Sequence, residues 1–191
     1  MINYKVCMIK IMVVLILFCS STLSISAQEW KWAKTIGEPD GTFHASGMAK
    51  LSNNEIAVLG IFTSPSIQIG NVILEGTPRY NPFVSIIDKA GNFKNSITFG
   101  GGETYPTSIV TDKDDNIYVS GSFYSVLFIA GKDTLFNQGK SDGFIVKLDK
   151  DLNILWIKSI ASSLHDNIYA INVDNKGNLY ASGLINTNYS Y

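Results

Sequence analysis

The chain has 191 residues, of which 46% are hydrophobic and 12% aromatic, and its formal net charge at pH 7 is −1. This composition suffices for a folded core, and the lack of a basic stripe argues against nucleic acid as a partner. Both cysteines, Cys7 and Cys19, lie before Gln28, so the rest of the chain is neither a disulfide scaffold nor a thiol enzyme.

The N-terminal segment predicts a secretory signal peptide. Lys5 and Lys10 precede an uninterrupted apolar run over residues 11–18, and small residues follow it. This three-part order is typical of a cleaved leader, and the run is shorter than the roughly 20 residues that a membrane span needs. We predict a signal peptide over residues 1–27, a secreted or cell-surface location and no membrane span after cleavage. An uncleaved anchor and a lipid on Cys19 are the alternatives.

A repeat with a period of about 61 residues runs through the remainder of the chain, and such self-similarity is the mark of a repeat architecture. Three similar phrases, EIAVLGIF, NIYVSGSF and NLYASGLI, place Gly60, Gly121 and Gly183 at almost even spacing. Residues 51–92 also align with residues 112–153 without a gap, and the identical positions are spread along the alignment. The repeat predicts three units within residues 28–191, the last of them incomplete, at about residues 30–92, 93–153 and 154–191.

Each unit is predicted to consist of short strands joined by tight turns. Residues 55–62 are apolar on both sides of the predicted strand, whereas residues 116–123 and 143–149 alternate with a period of two. The turns are DKAGN, DKDDN, DKDLN and DNKGN, which mostly offer glycine or a small polar residue where a left-handed conformation is needed. Leu152 does not tolerate that conformation, so we expect its turn to be built differently.

Short antiparallel strands in units of this length favour an all-β fold and, within it, a partial β-propeller. A strand that is apolar on both sides suits a blade that is covered by neighbouring blades. The repeated glycines would stand where strands crowd near an axis and no side chain fits. A β-solenoid, whose repeats are usually shorter, and tandem sandwich domains, which need more residues per unit, are the alternatives.

The second and third units resemble the SBBP beta-propeller repeats of bacterial exported and surface proteins. That family pairs a phrase of the type D-x-x-G-N-x-Y-x-x-G-x-F with one of the type D-x-F-x-x-K-x-D-x-x-G-N-x-x-W. The first phrase is matched at Asp112, Asn116, Tyr118, Gly121 and Phe123, and again at Asp174, Gly177, Asn178, Tyr180 and Gly183. The second phrase is matched at Asp142, Phe144, Lys147, Asp149, Asn153 and Trp156. The first unit departs from the pattern at Leu51, Ala57 and Pro82. The resemblance implies an exported β-propeller.

Two Asp-rich turns are candidates for a calcium site. Oxygen ligands stand at alternate positions, as at the start of many calcium loops, in two sets: Asp112, Asp114 and Asn116, and Asp149, Asp151 and Asn153. Neither turn has the following glycine or the distal glutamate of such loops, and DKAGN fills the same slot elsewhere. We therefore favour a hydrogen-bonded turn and expect no cofactor, with calcium as the alternative.

No pairing of a nucleophile with a base marks an active site in the sequence. His44 and His165 stand at no telling distance from a serine or a carboxylate, and residues 99–103, FGGGE, lack the lysine and the helix of a phosphate-binding loop. The recurring aromatic residues are interpreted as blade packing rather than as sugar platforms: Trp32 and Trp156, with Asn95 in the copy between them, and Tyr118 and Tyr180.

The leader, the repeats and the missing chemistry together favour a non-catalytic exported module that binds a protein or a glycan or serves surface display. One alternative is part of a glycan-active propeller enzyme, for which Glu103 and Asp166 are the nearest candidate acids. Another is a structural spacer of a surface protein. Because residues 28–191 hold fewer than three units and propellers typically have about four to eight blades, we also expect a fragment of a longer array, completed by further units in cis or by oligomerisation.

Overall fold

A computed structural model of the chain describes residues 32–34 and 43–186. This part forms fourteen β-strands and no helix, so the all-β prediction is confirmed. The predicted signal peptide, residues 1–27, lies outside the described residues. Within the described part, no helix has the length and hydropathy to cross a membrane.

The first sheet is an antiparallel four-stranded meander with a hairpin inserted between its second and third strands. Its strands, in spatial order, are β1 (Phe43–Lys50), β2 (Ile56–Phe62), β5 (Asn81–Ile87) and β6 (Phe93–Thr98). The inserted hairpin consists of β3 (Ser66–Ile69) and β4 (Val72–Glu75).

The second sheet repeats this plan, and the third begins it again. The second contains β7 (Thr104–Thr111), β8 (Ile117–Phe123), β11 (Asp142–Leu148) and β12 (Ile154–Ile160), with the hairpin β9 (Leu127–Ala130) and β10 (Asp133–Phe136). The third consists of β13 (Asp166–Val173) and β14 (Leu179–Ile185), the counterparts of β1 and β2. Equivalent strands begin at a nearly constant spacing along the chain, which matches the period of the sequence repeat. The unit boundaries drawn from the sequence fall between the third and fourth strands of a sheet.

The first strands of neighbouring sheets lie side by side. The Thr111 hydroxyl donates a hydrogen bond to the carbonyl of Lys50 at 2.9 Å, and the Thr107 hydroxyl donates to the carbonyl of Ile168 at 2.6 Å. The last strands, β6 and β12, are at the opposite edges of their sheets. The sheets therefore fan outward from a line of first strands, as blades do around a propeller axis.

The second sheet is buried on both faces. Along β11, Phe144 packs into the core that the first two sheets share, and Ile145 packs on the other face against Ile168 and Ile171 of β13. We call the contact between the first and second sheets the first junction, and the contact between the second and third sheets the second junction. The period of two along the strand thus assigns successive residues to different junctions.

A β-bulge interrupts the first strand of each sheet opposite the repeated glycine. The unpaired residues are Ser46, Thr107 and Tyr169. A Cβ atom added at Gly121 would lie 2.1 Å from the carbonyl oxygen of Tyr105, closer than any real contact. Crowding at the glycine therefore comes from the bulged strand of its own sheet, which approaches where a side chain would stand.

Five turns share one hydrogen-bond pattern, and the expectation for one of them was wrong. In the turn that starts at Asp149, the first amide donates to the carbonyl of Asn153 and the Leu152 amide donates back to Asp149, as at the other four positions. Leu152 adopts the left-handed conformation, with φ at 69°. Its side chain is buried in the first junction. Burial worth about 1.5–3 kcal/mol offsets the roughly 1–2 kcal/mol that this conformation costs.

Candidate functional site

A groove lined by tyrosines lies between the second and third sheets. It encloses about 370 Å³ and is lined by Tyr105, Thr107, Ser122, Tyr124, Asn167 and Tyr169. We call it the tyrosine groove. The side chains of Tyr124 and Tyr169 are 41% and 56% exposed, so both rings present a free surface.

The bulges explain why these side chains meet. Tyr105 and Thr107 lie on β7, and Asn167 and Tyr169 occupy the equivalent positions on β13. Thr107 and Tyr169 are the unpaired bulge residues of their strands. A bulge changes the direction of the extra residue's side chain relative to the regular alternation of the strand. The Thr107 hydroxyl and the Tyr169 ring therefore line the groove.

Four rings form a row that includes two of the groove tyrosines. The ring centroids of Tyr80 and Tyr105 are 4.7 Å apart, those of Tyr105 and Tyr124 are 5.5 Å apart, and Tyr124 is 6.0 Å from His165. Such pairs contribute about 0.5–1.5 kcal/mol each beyond area burial. Burial, and after it the phenols of Tyr80 and Tyr124, raise the pKa of Tyr105. Its hydroxyl is therefore protonated at neutral pH and can donate a hydrogen bond.

The loop FGGGE supports this row. Gly100 forms a bridge with Ile129 of the inserted hairpin, and the carbonyl of Glu103 accepts a hydrogen bond from the Tyr124 amide at 3.0 Å. The Glu103 carboxylate forms an ion pair with Arg79. Residues 99–103 thus connect the two sheets, and Glu103, one of the candidate acids, is engaged with a cation outside the groove lining.

Both Asp-rich turns engage their first aspartate in hydrogen bonds. Asp112 Oδ1 accepts from the amides of Asp114 and Asn116, both at 2.9 Å. Its Oδ2 accepts from the Asn116 amide group at 2.8 Å and from the Tyr118 hydroxyl at 3.0 Å. Burial alone would raise the pKa of Asp112, but these hydrogen bonds outweigh it and hold the pKa below its usual range.

The second turn repeats this arrangement, and the other two candidate aspartates, Asp114 and Asp151, lie near lysines. Asp149 accepts hydrogen bonds from the Asp151 amide and from Asn153 in the same way. The carboxylates of Asp114 and Asp151 lie 3.8 and 2.8 Å from the ammonium groups of their neighbours Lys113 and Lys150. Among the described residues, no three acidic, histidine or cysteine side chains converge on a common point. The two Asp-rich turns therefore do not combine into one cluster of acidic side chains.

Trp32 and Trp156 lie outside the groove. The indole of Trp32 donates to the carbonyl of Lys89 at 3.2 Å, and Asn95 donates to the carbonyl of Asp151 at 3.0 Å. Each thus ties down the turn before the last strand of a sheet. Trp156 packs edge-on against Tyr118, with centroids 6.1 Å apart.

One serine–histidine contact was not predicted from the sequence. His165 Nδ1 lies 3.1 Å from the Ser141 hydroxyl, although the two residues are far apart in the chain. Ser141 is fully buried, so its hydroxyl is inaccessible to a substrate and ties a loop to the sheet. Asp166, the other candidate acid, is also fully buried.

The groove tyrosines were also not predicted from the sequence, although the comparison of equivalent positions in the three units contains a signal for them. Tyr105 corresponds to His44 in the first unit and to Asn167 in the third, and Tyr169 corresponds to Thr107. These positions do not keep the aromatic ring from unit to unit. On a repeated scaffold, an aromatic residue that does not recur has no part in the common packing, and this marks it as a candidate for recognition.

Repeated antiparallel four-stranded sheets around a line of first strands define a protein of the β-propeller repeat class. In agreement, residues 97–122 match the family model of SBBP, described as a beta-propeller repeat. The match spans the end of β6, all of β7 and most of β8. The resemblance to SBBP repeats inferred from the sequence is thus confirmed. No curated protein matches the chain significantly.

Proposed function

We propose that the protein is an exported, non-catalytic binding module that holds an uncharged saccharide in the tyrosine groove. The observation that carries this proposal is the pair of exposed rings, Tyr124 and Tyr169, beside the polar side chains of Asn167 and Ser122. The propeller-repeat family points to a repeat module of the binding type. Its repeats supply the scaffold, and the groove supplies the specificity.

The chemistry of the groove suits a sugar. The C–H face of a pyranose packs on an aromatic ring, and its hydroxyls need amide and hydroxyl partners at the edge. The groove volume of about 370 Å³ lies within the roughly 300–1,000 Å³ of small-ligand sites. None of the six lining residues is charged, so we expect a neutral saccharide rather than an acidic one. The Thr107 hydroxyl already donates to Ile168, which leaves the Asn167 amide and the tyrosine hydroxyls for the ligand.

Export rests on the predicted signal peptide, which supports a secreted or cell-surface location. The alternative of a glycan-active enzyme is less well supported, because Glu103 is paired with Arg79 and Asp166 is fully buried. A protein ligand and a purely structural spacer are the competing functions.

We further propose that strands of an additional repeat unit, in cis or from a second copy, pair along β14. In the first two sheets the second strand is hydrogen-bonded on both sides, but β14 pairs only with β13 among the described strands. Tyr180, Leu184 and Ile185 on this strand are exposed. A free strand edge with apolar side chains favours association with another strand.

The saccharide proposal is tested with a matched pair of tyrosine variants. We expect Tyr169→Ala to weaken binding of a neutral oligosaccharide about three- to tenfold, the loss of one ring contact. Tyr180→Ala is the control, because that ring is similarly exposed, at 58%, on the same sheet but outside the groove. Dissociation constants come from titration of tyrosine fluorescence after a screen of neutral glycans. If no neutral glycan binds, or if Tyr180→Ala weakens binding as much as Tyr169→Ala, the groove is not a saccharide site.

A further inference from the structure

Two aspartates in the second junction are fully buried, and each keeps one carboxylate oxygen without a hydrogen-bond partner. Asp142 Oδ2 accepts a hydrogen bond from the Gln138 amide at 2.9 Å, and Asp166 Oδ1 accepts one from the Asn186 amide at 3.0 Å. The other oxygens, Asp142 Oδ1 and Asp166 Oδ2, are buried and have no partner among the described residues. A buried charge in this state is costly unless something compensates it.

The backbone places Asp142 and Asp166 next to each other. Ser141 and His165, which precede them, form a parallel bridge, and the Asp166 amide donates to the carbonyl of Ser141 at 2.7 Å. Burial, and also the charge of Asp166, raise the pKa of Asp142. Among the described residues, neither carboxylate forms an ion pair with a lysine or an arginine. The titratable group next to them in the chain is His165, and its Nδ1 is engaged with the Ser141 hydroxyl.

The first junction contains neutral residues at the two equivalent positions. Its equivalents of Asp142 and Asp166 are Asn81 and Thr104, both neutral. Asn81 Oδ1 accepts from the Thr77 amide at 3.0 Å, as Asp142 accepts from Gln138. The two N–H groups of Asn81 Nδ2 are shared among three carbonyl oxygens, those of Phe62, Thr77 and Arg79, at 3.2, 2.7 and 2.6 Å.

Asp142 has a carboxylate oxygen where Asn81 has its NH2 group, so the position loses a hydrogen-bond donor and gains an acceptor. In the repeat, Phe123, Gln138 and Lys140 are equivalent to Phe62, Thr77 and Arg79. Their carbonyls are therefore expected around Asp142. One of them, the carbonyl of Phe123, accepts a hydrogen bond from Asn137 at 3.4 Å. The first junction satisfies its carbonyls with a donor, whereas the second places a carboxylate oxygen at the same point and a second carboxylate beside it. Such a set of oxygens needs either a cation or a hydrogen-bond donor, such as the proton of a neutral carboxyl group.

We propose that Asp142 and Asp166 bind a divalent cation of the calcium class. The ligand set consists of oxygens alone, with two carboxylates and backbone carbonyls, which is what a hard cation takes. A cation also removes the repulsion between two buried carboxylates, each of which has only one hydrogen-bond donor. The site is separate from the Asp-rich turns, and it joins the second sheet to the third next to the end of the ring row at His165.

Direct binding is tested with terbium, a calcium-like ion, on the full chain after treatment with a chelator at pH 7. Tyr124 stacks on His165, which adjoins Asp166, so tyrosine can sensitise terbium luminescence. We expect a saturable signal that calcium displaces. Asp142→Asn and Asp166→Asn should each weaken binding about tenfold or more, since even an outer-shell change costs that much. The control is the double variant Asp112→Ala with Asp149→Ala, which should bind as the unmodified chain does.

A thermal measurement separates the cation from a buried proton. Calcium should raise the melting temperature of the unmodified chain and leave Asp142→Asn unchanged. Without calcium, Asp142→Asn should melt higher than the unmodified chain, because its amide group can donate to carbonyls as Asn81 does. The proposal fails if millimolar calcium does not bind, or if the turn variant alone abolishes binding. Stabilisation of the chain on acidification toward pH 5 would then assign a buried proton to the acid pair instead. Saccharide binding by the groove does not depend on either result.

Discussion

The two junctions of this protein use the same backbone plan for different purposes. In the first, the rings of Phe99, Phe128 and Phe144 pack within 4.5–6.3 Å of one another, and the neutral Asn81 makes a full set of hydrogen bonds. The second contains a smaller apolar cluster, a buried acid pair and the tyrosine groove. The first junction is thus mainly apolar, whereas the second also contains buried acids and exposed tyrosines.

The difference arises at positions that vary between units, while the shared positions hold the sheets together. Glycine opposite the bulge and aspartate at the start of a turn recur because every sheet needs the same close approach and the same turn. Positions such as Asn81 and Asp142 face a junction without being required by the sheet itself. In a repeat protein, function can therefore be sought where equivalent positions differ in chemistry.

The largest expected effect on stability comes from substitutions at two neighbouring residues of β11. Phe144 is fully buried in the first junction, and Ile145 is 8% exposed in the second. We expect Phe144→Ala to lower the free energy of unfolding by about 3–5 kcal/mol and Ile145→Ala by about 2 kcal/mol. Urea denaturation followed by tryptophan fluorescence measures both. Equal losses would show that the two junctions contribute equally.

The repeated glycines give an intermediate effect. A Cβ atom at Gly121 would meet the Tyr105 carbonyl at 2.1 Å and the Phe144 ring at 2.8 Å. Gly121→Ala should therefore cost about 3 kcal/mol, the upper range for overpacking. Gly183 faces a similar carbonyl, that of Asn167, at 2.0 Å, but β14 is largely exposed and can shift. Gly183→Ala should cost less in the same assay, and a larger loss there would mean that the third sheet is as rigid as the second.

The Asp-capped turns give the smallest effect, and it depends on pH. We expect Asp112→Asn to cost about 1–2 kcal/mol at pH 7, because two charge-assisted acceptors are lost. Since hydrogen bonds hold the pKa of Asp112 below its usual range, its stabilisation is complete above about pH 5 and is lost as the pH falls through the lowered value. The difference between variant and unmodified chain should thus shrink toward pH 3.

Asp174→Asn is the matched control for this turn. It has the same hydrogen bonds, including one from the Tyr180 hydroxyl at 3.1 Å, but it lies in the exposed third sheet. Its pKa is also lowered, mainly by Asn178, so its effect should have the same sign and be smaller. A cost for Asp112→Asn that does not change between pH 7 and pH 3 would contradict this assignment.

The period, the strands and the turns could be predicted from the sequence because they depend on neighbours along the chain. Alternation in NIYVSGSF specifies a strand, and aspartate followed by a small residue specifies a turn. The repeated glycines were predicted to be positions without room, and an added Cβ atom would meet the Phe83 ring at Gly60 and a backbone carbonyl at Gly121 and Gly183. These signals recur in each unit, so each copy strengthens the others.

Only the tertiary structure decided the groove, the acid pair and the conformation of Leu152. Asp142 and Asp166 are neighbours because a backbone bridge joins the residues that precede them, Ser141 and His165. Tyr169 reaches the groove because of a bulge. Leu152 accepts a left-handed backbone because its side chain is buried between two sheets. Each outcome depends on burial and contact between residues far apart in the chain. Local patterns carry no information about such contacts, because the free energy that favours them appears only when the sheets pack together.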